Sequence, residues 1–436
     1  MYTIYALSSG MLPSGVAVIR LSGGESLTIL KNMIGYIPKA RYMSLTKIKD
    51  KNNNIIDNGL VVYFPKPNSF TGEDCVEFHL HGGKAVVNKF LQELSTFTNV
   101  RLAEAGEFSK RAFLNGKIDL TQAEGLADLI AAETESQRRL ALLESDGLLS
   151  KQYENWRLKI IKMRSLLEAQ FDFSEEEEIS SELLEITYNE MKKLSSEITN
   201  YINISERSYS VKDGLKIVLI GAPNSGKSSL INNLSGREIS IVSNEAGTTR
   251  DSIEVRLSLA GMIVNIVDTA GIRETKSDSI EYKGIEKAKN HLNTADLVIL
   301  LEDMQNPIKI DLSFYQGDIW YIGNKCDIIE TNNNKYDLKI SSLLGINIDI
   351  LLDRISKYCY TKQLEIGDII PARLRQRLIL SDILNLIDEI LINIEQPLEI
   401  QAEILRQISH LFGRLTGTVD VEDMLDFIFS EFCIGK

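Results

Sequence analysis

Residues 221–228 read GAPNSGKS, which sets two glycines, a lysine and a serine at the spacing of a loop that wraps phosphate oxygens. LKIVLI (Leu215–Ile220) before it reads as a buried strand, and SLINNLSG after it as a helix. In that context the N–H groups of Asn224, Ser225 and Gly226, and of the helix start through Ser229, face an anion. Lys227 is positioned to reach the β- and γ-phosphates, and the Ser228 hydroxyl to ligate magnesium. VDTAG (267–271) closes a later strand. Its Asp268 suits magnesium through a water, and its Gly271 N–H suits the γ-phosphate. NKCD (324–327) closes another strand and brings Asn324, Lys325 and Asp327 to a base. The Asp327 carboxylate can accept from N1–H and N2–H₂ of guanine. Adenine offers no such pair and would leave the carboxylate unsatisfied. ISS (340–342) adds loop backbone near the base, at Ser341. Motifs of this kind, in this order on strand ends, indicate GTP.

Hydrolysis requires positive charge between the phosphates and a positioned water. Ras-like proteins orient the water with a Gln after DTAG, but Ile272 holds that position here. GTTRD (247–251) supplies Thr249 as a second magnesium ligand, with Thr248 beside it. Arg250 and Arg273 read either as cis arginine fingers or as surface and structural charges.

Several elements must position these residues. VAVIRL (16–21), GLVVYF (59–64) and CVEFHL (75–80) read as strands, and HGG (81–83) opens a helical stretch. Residues 1–118 therefore form an α+β module. Helical periodicity follows over 119–212, where Trp156, Ile160, Met163, Leu167 and Phe171 make one apolar stripe and Leu184, Tyr188, Met191, Leu194, Ile198 and Tyr201 another. The acidic run 175–178 reads as a solvated helix start or loop. Residues 213–372 carry the nucleotide motifs on a Ras-like P-loop α/β pattern, and helical periodicity returns over 373–436 with Ile383, Ile387, Ile390 and Ile394. The fold class is thus multidomain α/β and all-α: an α+β N-terminal domain, then a discontinuous helical domain with the nucleotide domain inserted between its segments.

With 436 residues, 44% hydrophobic and 25% charged, the chain has ordinary globular composition. Its net charge of −13 excludes a broad basic surface for nucleic acid, though not a local patch or a basic partner. No apolar run is long enough to span a membrane, and the N-terminus lacks a basic leader, so a cytoplasmic location is expected. Cys75, Cys326 and Cys359 read as packing residues, since no cysteine spacing fits a zinc or redox motif. His79 and His81 share a strand face, but no third metal ligand accompanies them.

IRLSGGES, SFTGEDCVEFHLHGG and GEFSKRAFLNGKIDLTQAE near the start, and FSEFCIGK at the end, join the nucleotide motifs. Together they make the whole chain resemble the MnmE/TrmE family of tRNA uridine modification GTPases. The resemblance implies a homodimer joined through the N-terminal domain and a flavin-dependent partner of the MnmG/GidA type, with which tRNA is held. The joint product is a carboxymethylaminomethyl-type group on C5 of the wobble uridine of certain tRNAs. It also implies 5-formyltetrahydrofolate or a related folate at Arg20, Glu77, Lys117 and Lys436. An arginine and two lysines suit the folate carboxylates, and a carboxylate suits a pterin N–H edge. Cys433 matches a terminal cysteine considered to act on the substrate, and reads equally as a packing residue. The resemblance further implies potassium in place of the arginine finger, at Asn224, the carbonyls of Ser243 and Glu245, and a group at Thr248. Glu281 matches the glutamate that orients the attacking water. Glu245 stands where an apolar residue is usual, and SSLLG (341–345) where Ser-Ala is usual. The alternative is a GTP-switched RNA- or ribosome-binding assembly factor, which would need a basic module not evident here.

Overall fold

The computed structural model describes residues 2–172, 177–237, 253–268, 292, 294–308, 310–329, 335–366, 373–419, 425, 428–430, 432 and 435. The chain divides into two units, one of residues 1–127, 144–194 and 385–436, the other of residues 128–143 and 195–384.

Six strands of the first unit form one sheet. They are β1 (Thr3–Leu7), β2 (Ser14–Ser22), β3 (Ser44–Lys49), β4 (Ile55–Phe64), β5 (Cys75–Gly82) and β6 (Val100–Leu102), in the order β3-β4-β5-β2-β1-β6. All neighbours are antiparallel except β1 and β6. Alternation along each strand gives the sheet two distinct faces. Ile19, Leu21, Val61 and Phe78 meet Ile29 and Leu30 of α1 (Ser26–Ile34) and Val87 and Phe90 of α2 (Lys84–Leu94). On the opposite face Ile4, Ala6 and Ala103 pack with Phe108 of α3 (Glu107–Leu114). The helix expected to open at HGG starts later. β5 continues through Gly82, because His81 pairs with Val16 across the sheet and donates its backbone N–H to Asp57.

The helical stretch contains α4 (Leu120–Ala131), α5 (Glu135–Ser145), α6 (Leu148–Asp172) and α7 (Glu177–Asp213). Trp156, Ile160, Met163 and Leu167 are buried along α6, as their spacing requires. Trp156 packs against Phe412 of the helix Leu398–Thr416, with ring centroids 6.2 Å apart and planes tilted by 52°. In that helix Gln401 is fully buried and fully engaged. It accepts from the Tyr188 hydroxyl at 3.0 Å and donates to the carbonyls of Ile394 and Gln396. The acidic run reaches α7 at Glu177, and residues 173–176 lie outside the described residues. Ile383, Ile387 and Ile390 are buried on the helix Leu374–Ile392, but Ile394 lies past its end and is exposed.

The second unit holds a six-stranded sheet of β7 (Leu215–Ile220), β8 (Ile253–Leu259), β9 (Met262–Asp268), β10 (Leu297–Asp303), β11 (Asp318–Asn324) and β12 (Leu338–Lys339). The order is β12-β11-β10-β7-β9-β8, parallel except for the β8–β9 hairpin. Both faces are covered, which explains near-continuous apolar strands such as LKIVLI. Leu215, Ile217 and Leu219 pack with Leu230 and Leu234 of α8 (Lys227–Ser235) and Ile355 of α9 (Ile348–Ile366). Val218 and Ile220 pack on the other face with Val298 and Leu300. Residues 128–143 join this unit, where Glu133 pairs with Arg256 at 2.9 Å and the Ser136 N–H donates to the Gly261 carbonyl.

A buried ion cluster anchors the loop between β4 and β5. Arg111 donates to Glu73 at 3.0 Å, to Glu107 at 2.9 Å and to the Tyr2 carbonyl at 2.9 Å. Arg101 grips Glu107 through two bonds of 2.8 Å, and Ser22 donates to Glu73. Burial opposes the charge on Glu107, but the bonds from Arg101, the Glu104 N–H and Arg111 outweigh it and hold the carboxyl below its ordinary range. Removing one partner of such a cluster costs about 3 kcal/mol, because the carboxylates stay buried. Arg111→Met is therefore expected to destabilise the first unit by about that amount. Urea unfolding followed by Trp156 fluorescence in a Trp320→Phe background measures it. A depressed carboxyl contributes above its unfolded pKa of about 4.3 and ceases to contribute as pH falls through its folded value, so the difference between the two proteins should shrink below about pH 4.

Candidate functional site

In the second unit the carboxyl ends of β7, β9, β10, β11 and β12 open on one edge, with β9 and β10 flanking β7. Ligands of open α/β sheets bind at such a switch point. The loop after β7 turns through Asn224 and Gly226 in left-handed conformations, φ 64° and 99°. Gly226 is required twice over, since a Cβ there would stand 2.0 Å from Asn324 Nδ2. The Lys227 ammonium donates to the carbonyls of Gly221 at 2.8 Å and Ala222 at 3.1 Å, closing the loop on itself. Ser225 is buried, Ser229 half-buried, and Asn224 and Ser228 are exposed.

Asn324 ties three segments together. Its Nδ2 donates to the Ser225 carbonyl at 2.7 Å. Its Oδ1 accepts the Ser342 N–H at 2.9 Å and the Ser342 hydroxyl at 3.0 Å. Ser341 donates its N–H to the Ile346 carbonyl, and its hydroxyl oxygen accepts from the Leu344 N–H. This closes the SSLLG turn without a small apolar residue after the serine. Lys325, with φ 66°, places its ammonium 2.6 Å from Asp303 Oδ2 at the end of β10. Asp268 is buried at the end of β9, and Asp327 is exposed. The structure thus joins Ser225, Gly226, Asn324, Lys325 and Ser341 at one sheet edge. Ser342 and Asp303 were missed as side-chain participants, because a serine beside a loop and an acid at a strand end carry no distinctive spacing. Ser243, Glu245, Thr248, Thr249, Arg250, Gly271, Ile272, Arg273 and Glu281 lie outside the described residues.

In the first unit Arg20 and Glu77 are direct cross-strand partners, with Nε 2.9 Å from Oε1. The Arg20 guanidinium lies over Phe70 and Phe108, at 5.6 and 5.8 Å from the ring centroids. His79 Nε2 is 3.4 Å from Glu77 Oε2, and His81 bonds Asp57 at 2.9 Å, so both histidines engage carboxylates. The His79 hydrogen bond, opposed by burial and reinforced by the Arg20 charge, holds Glu77 below the ordinary carboxylate range. A Cβ at Gly72 would stand 3.1 Å from Lys117 Cε, so the lysine stem lies against the loop that supplies Phe70. The chain end docks on β1: the Ser8 hydroxyl donates to the Gly435 carbonyl at 2.9 Å, and a Cβ at Gly435 would stand 2.3 Å from the Leu7 carbonyl. Leu7 is the neighbour of Ala6, which faces Arg20 across the strands. Arg20 and Glu77 are thus paired across β2 and β5, Lys117 borders the loop that supplies Phe70, and Gly435 packs on the end of β1. Lys436 and Cys433 themselves lie outside the described residues.

A family model described as the MnmE helical domain matches residues 120–433, and one described as the GTP-binding protein TrmE N-terminus matches residues 3–117. The chain is 52% identical over 436 residues to the tRNA modification GTPase MnmE of Bartonella bacilliformis, covering 100% of both. It is 48% identical over 434 residues to the protein of the same description from Brucella anthropi, covering 100% of this chain and 98% of that one. Among solved structures it is similar to the G domain of the T. maritima FeoB iron transporter. That match is 24% identical, covers 33% of this chain and 98% of the other, and has a TM-score of 0.24.

Asn324→Ala would strand the Ser342 N–H and the Ser225 carbonyl, at about 1–3 kcal/mol for each buried group. The expected result is a loss of at least about tenfold in GDP affinity, measured by fluorescent-nucleotide titration. Unchanged affinity would mean that the two loops keep their spacing without the amide.

Proposed function

The chain belongs to the MnmE family of tRNA modification GTPases, and from that membership we propose that it is a potassium-activated GTPase. In this reading it works as a homodimer with a flavin-dependent partner of the MnmG/GidA type. Together they modify C5 of the wobble uridine of certain tRNAs in the cytoplasm. The observation that carries the nucleotide chemistry is the Asn324 bridge, which assembles the phosphate loop and the base loops on one edge.

The residues fit the ligands the reading requires. Asp268 and Ser228 stand at the end of β9 and the start of α8, where magnesium would be held with Thr249. Asn224 offers an exposed amide at the crest of the loop, a suitable hard oxygen donor for potassium alongside Ser243, Glu245 and Thr248. Bound potassium supplies the positive charge that an arginine finger supplies elsewhere. Glu281 takes the water-orienting task that Ile272 cannot perform. In the first unit Glu77 is kept anionic and so can accept N–H donors from a pterin edge. Arg20, Lys117 and Lys436 complement folate carboxylates, and Cys433 is the candidate group for chemistry on the one-carbon unit.

Several features support the rest of the reading. Val16, Leu45 and Leu60 are exposed on the N-terminal sheet, at 54%, 75% and 36%, and offer an apolar surface for a second copy. The acidic chain fits a division of labour in which the partner holds most of the tRNA. Among the described residues no helix is long and apolar enough to cross a membrane. The domain boundaries we adopt are 1–118, 119–212, 213–372 and 373–436.

GTP turnover at equal ionic strength should be faster in potassium than in sodium, and equal rates would refute activation by the cation. Glu281→Ala should lower the potassium-stimulated rate by about 10²-fold while leaving GTP affinity intact. Deleting the gene should remove the C5 modification from wobble uridines, as read by nucleoside mass spectrometry. Co-purification with ribosomal particles and unchanged tRNA nucleosides would instead favour an assembly factor.

A further inference from the structure

We infer that Asp303 is a positioning residue for the purine base, fixing Lys325 so that the lysine's methylene stem forms the floor on which the base lies. The inference rests on reading NKCD as the guanine site.

Asp303 is the last residue of β10 and faces Asn324 across the β10–β11 ladder. Its two carboxylate oxygens have separate tasks. Oδ1 accepts the Gln305 N–H at 2.9 Å, which locks the side chain into the turn that ends the strand. Oδ2 receives the Lys325 ammonium at 2.6 Å. The carboxylate is nearly buried, whereas the lysine keeps 29% of its side chain exposed. Burial raises the Asp303 pKa, but the bonds from Lys325 and Gln305 outweigh it and keep the group anionic. The adjacent acid does not compete for this lysine, because Glu302 is engaged by Lys335 and the Tyr336 hydroxyl, each at 2.6 Å. A lysine stem loses much rotamer freedom when ordered. Here its far end is tied to a side chain that is itself tied to backbone, so the stem is ordered before a ligand arrives.

A stem of this kind touches the flat face of a base and reads none of its edges. Asp303 should therefore matter equally for guanine and hypoxanthine, whereas Asp327 should distinguish them through the 2-amino group.

The test is a double-mutant cycle on the full chain, with GDP and IDP affinities measured by calorimetry. Asp303→Asn keeps the shape and the acceptor for Gln305 but loses the charge. Lys325→Met keeps an apolar stem but loses the ammonium. In the Lys325 background Asp303→Asn should weaken GDP and IDP by the same factor, about tenfold. In the Lys325→Met background it should have no effect on either. Partial recovery with Asp303→Glu is expected. No loss in the Lys325 background overturns the inference, and so does an equal loss in both backgrounds, which would mark Asp303 as a structural residue independent of the lysine. Wild-type protein that binds neither nucleotide overturns the guanine-site reading itself, and the inference with it.

Discussion

A phosphate loop that turns N–H groups toward a ligand needs part of its shape held from outside the loop. In this protein Asn324 performs that task. A single planar amide offers a donor and an acceptor about 2 Å apart on opposite sides of one carbon, and here one reaches the Ser225 carbonyl while the other takes both donors of Ser342. Three loops from different strands are thereby spaced by one rigid group. Gly226 passes so close to Nδ2 that any side chain would push the amide away. The glycine that reads as a conformational requirement is equally a packing requirement. The neighbouring ion pair of Lys325 and Asp303 extends the same principle, ordering a flexible side chain through a carboxylate already fixed by backbone.

The N-terminal sheet meets a related problem with charge instead of an amide. Glu73 and Glu107 are largely withdrawn from water, and each would be costly alone. Arg111 spans both, Arg101 closes on Glu107, and Ser22 completes Glu73. Their joint product is a fixed path for the loop that delivers Phe70 beneath Arg20 and Gly72 against Lys117. Residues far apart in sequence thus converge because a buried charge tolerates no looseness in its partners. The chain end arrives by the same economy of contact. Gly435 bonds Ser8 with no room for a side chain, and Phe429 and Phe432 are anchored among Phe113, Leu120 and Leu425.

What was legible in the sequence follows from which interactions are local. LKIVLI, VAVIRL and CVEFHL are strands because apolar period and turn residues act within a few positions, and all three are observed. The α6 stripe from Trp156 to Leu167 is buried as its spacing demands. The short strands β1, β3 and β6 were not read, since five, six and three residues give little periodicity and their pairing comes from distant partners. His81 illustrates the limit. Its sequence neighbours favour a helix start, but Val16 and Asp57 extend the strand. Ile394 fails in the opposite sense, continuing a helical period past the point where the helix Leu374–Ile392 has ended.

The candidate sites divide along the same line. The phosphate loop is visible because its backbone performs the work, and NKCD because its working side chains stand at a fixed spacing on a strand end. Ser342, Asp303, Arg111 and His79 were invisible in their roles because each acts on another side chain, and nothing in their local spacing encodes that partner. Arg20 and Glu77 occupy an intermediate position. As isolated residues they read as surface charges, yet they are cross-strand neighbours, and the His79 hydrogen bond together with the Arg20 charge keeps the Glu77 carboxylate anionic on a partly apolar face. A charge kept ionised by a neighbour at a sheet end, rather than by water, can recognise a ligand. That ionisation draws on His79, two residues along β5, and on Arg20, which the register of β2 against β5 brings alongside.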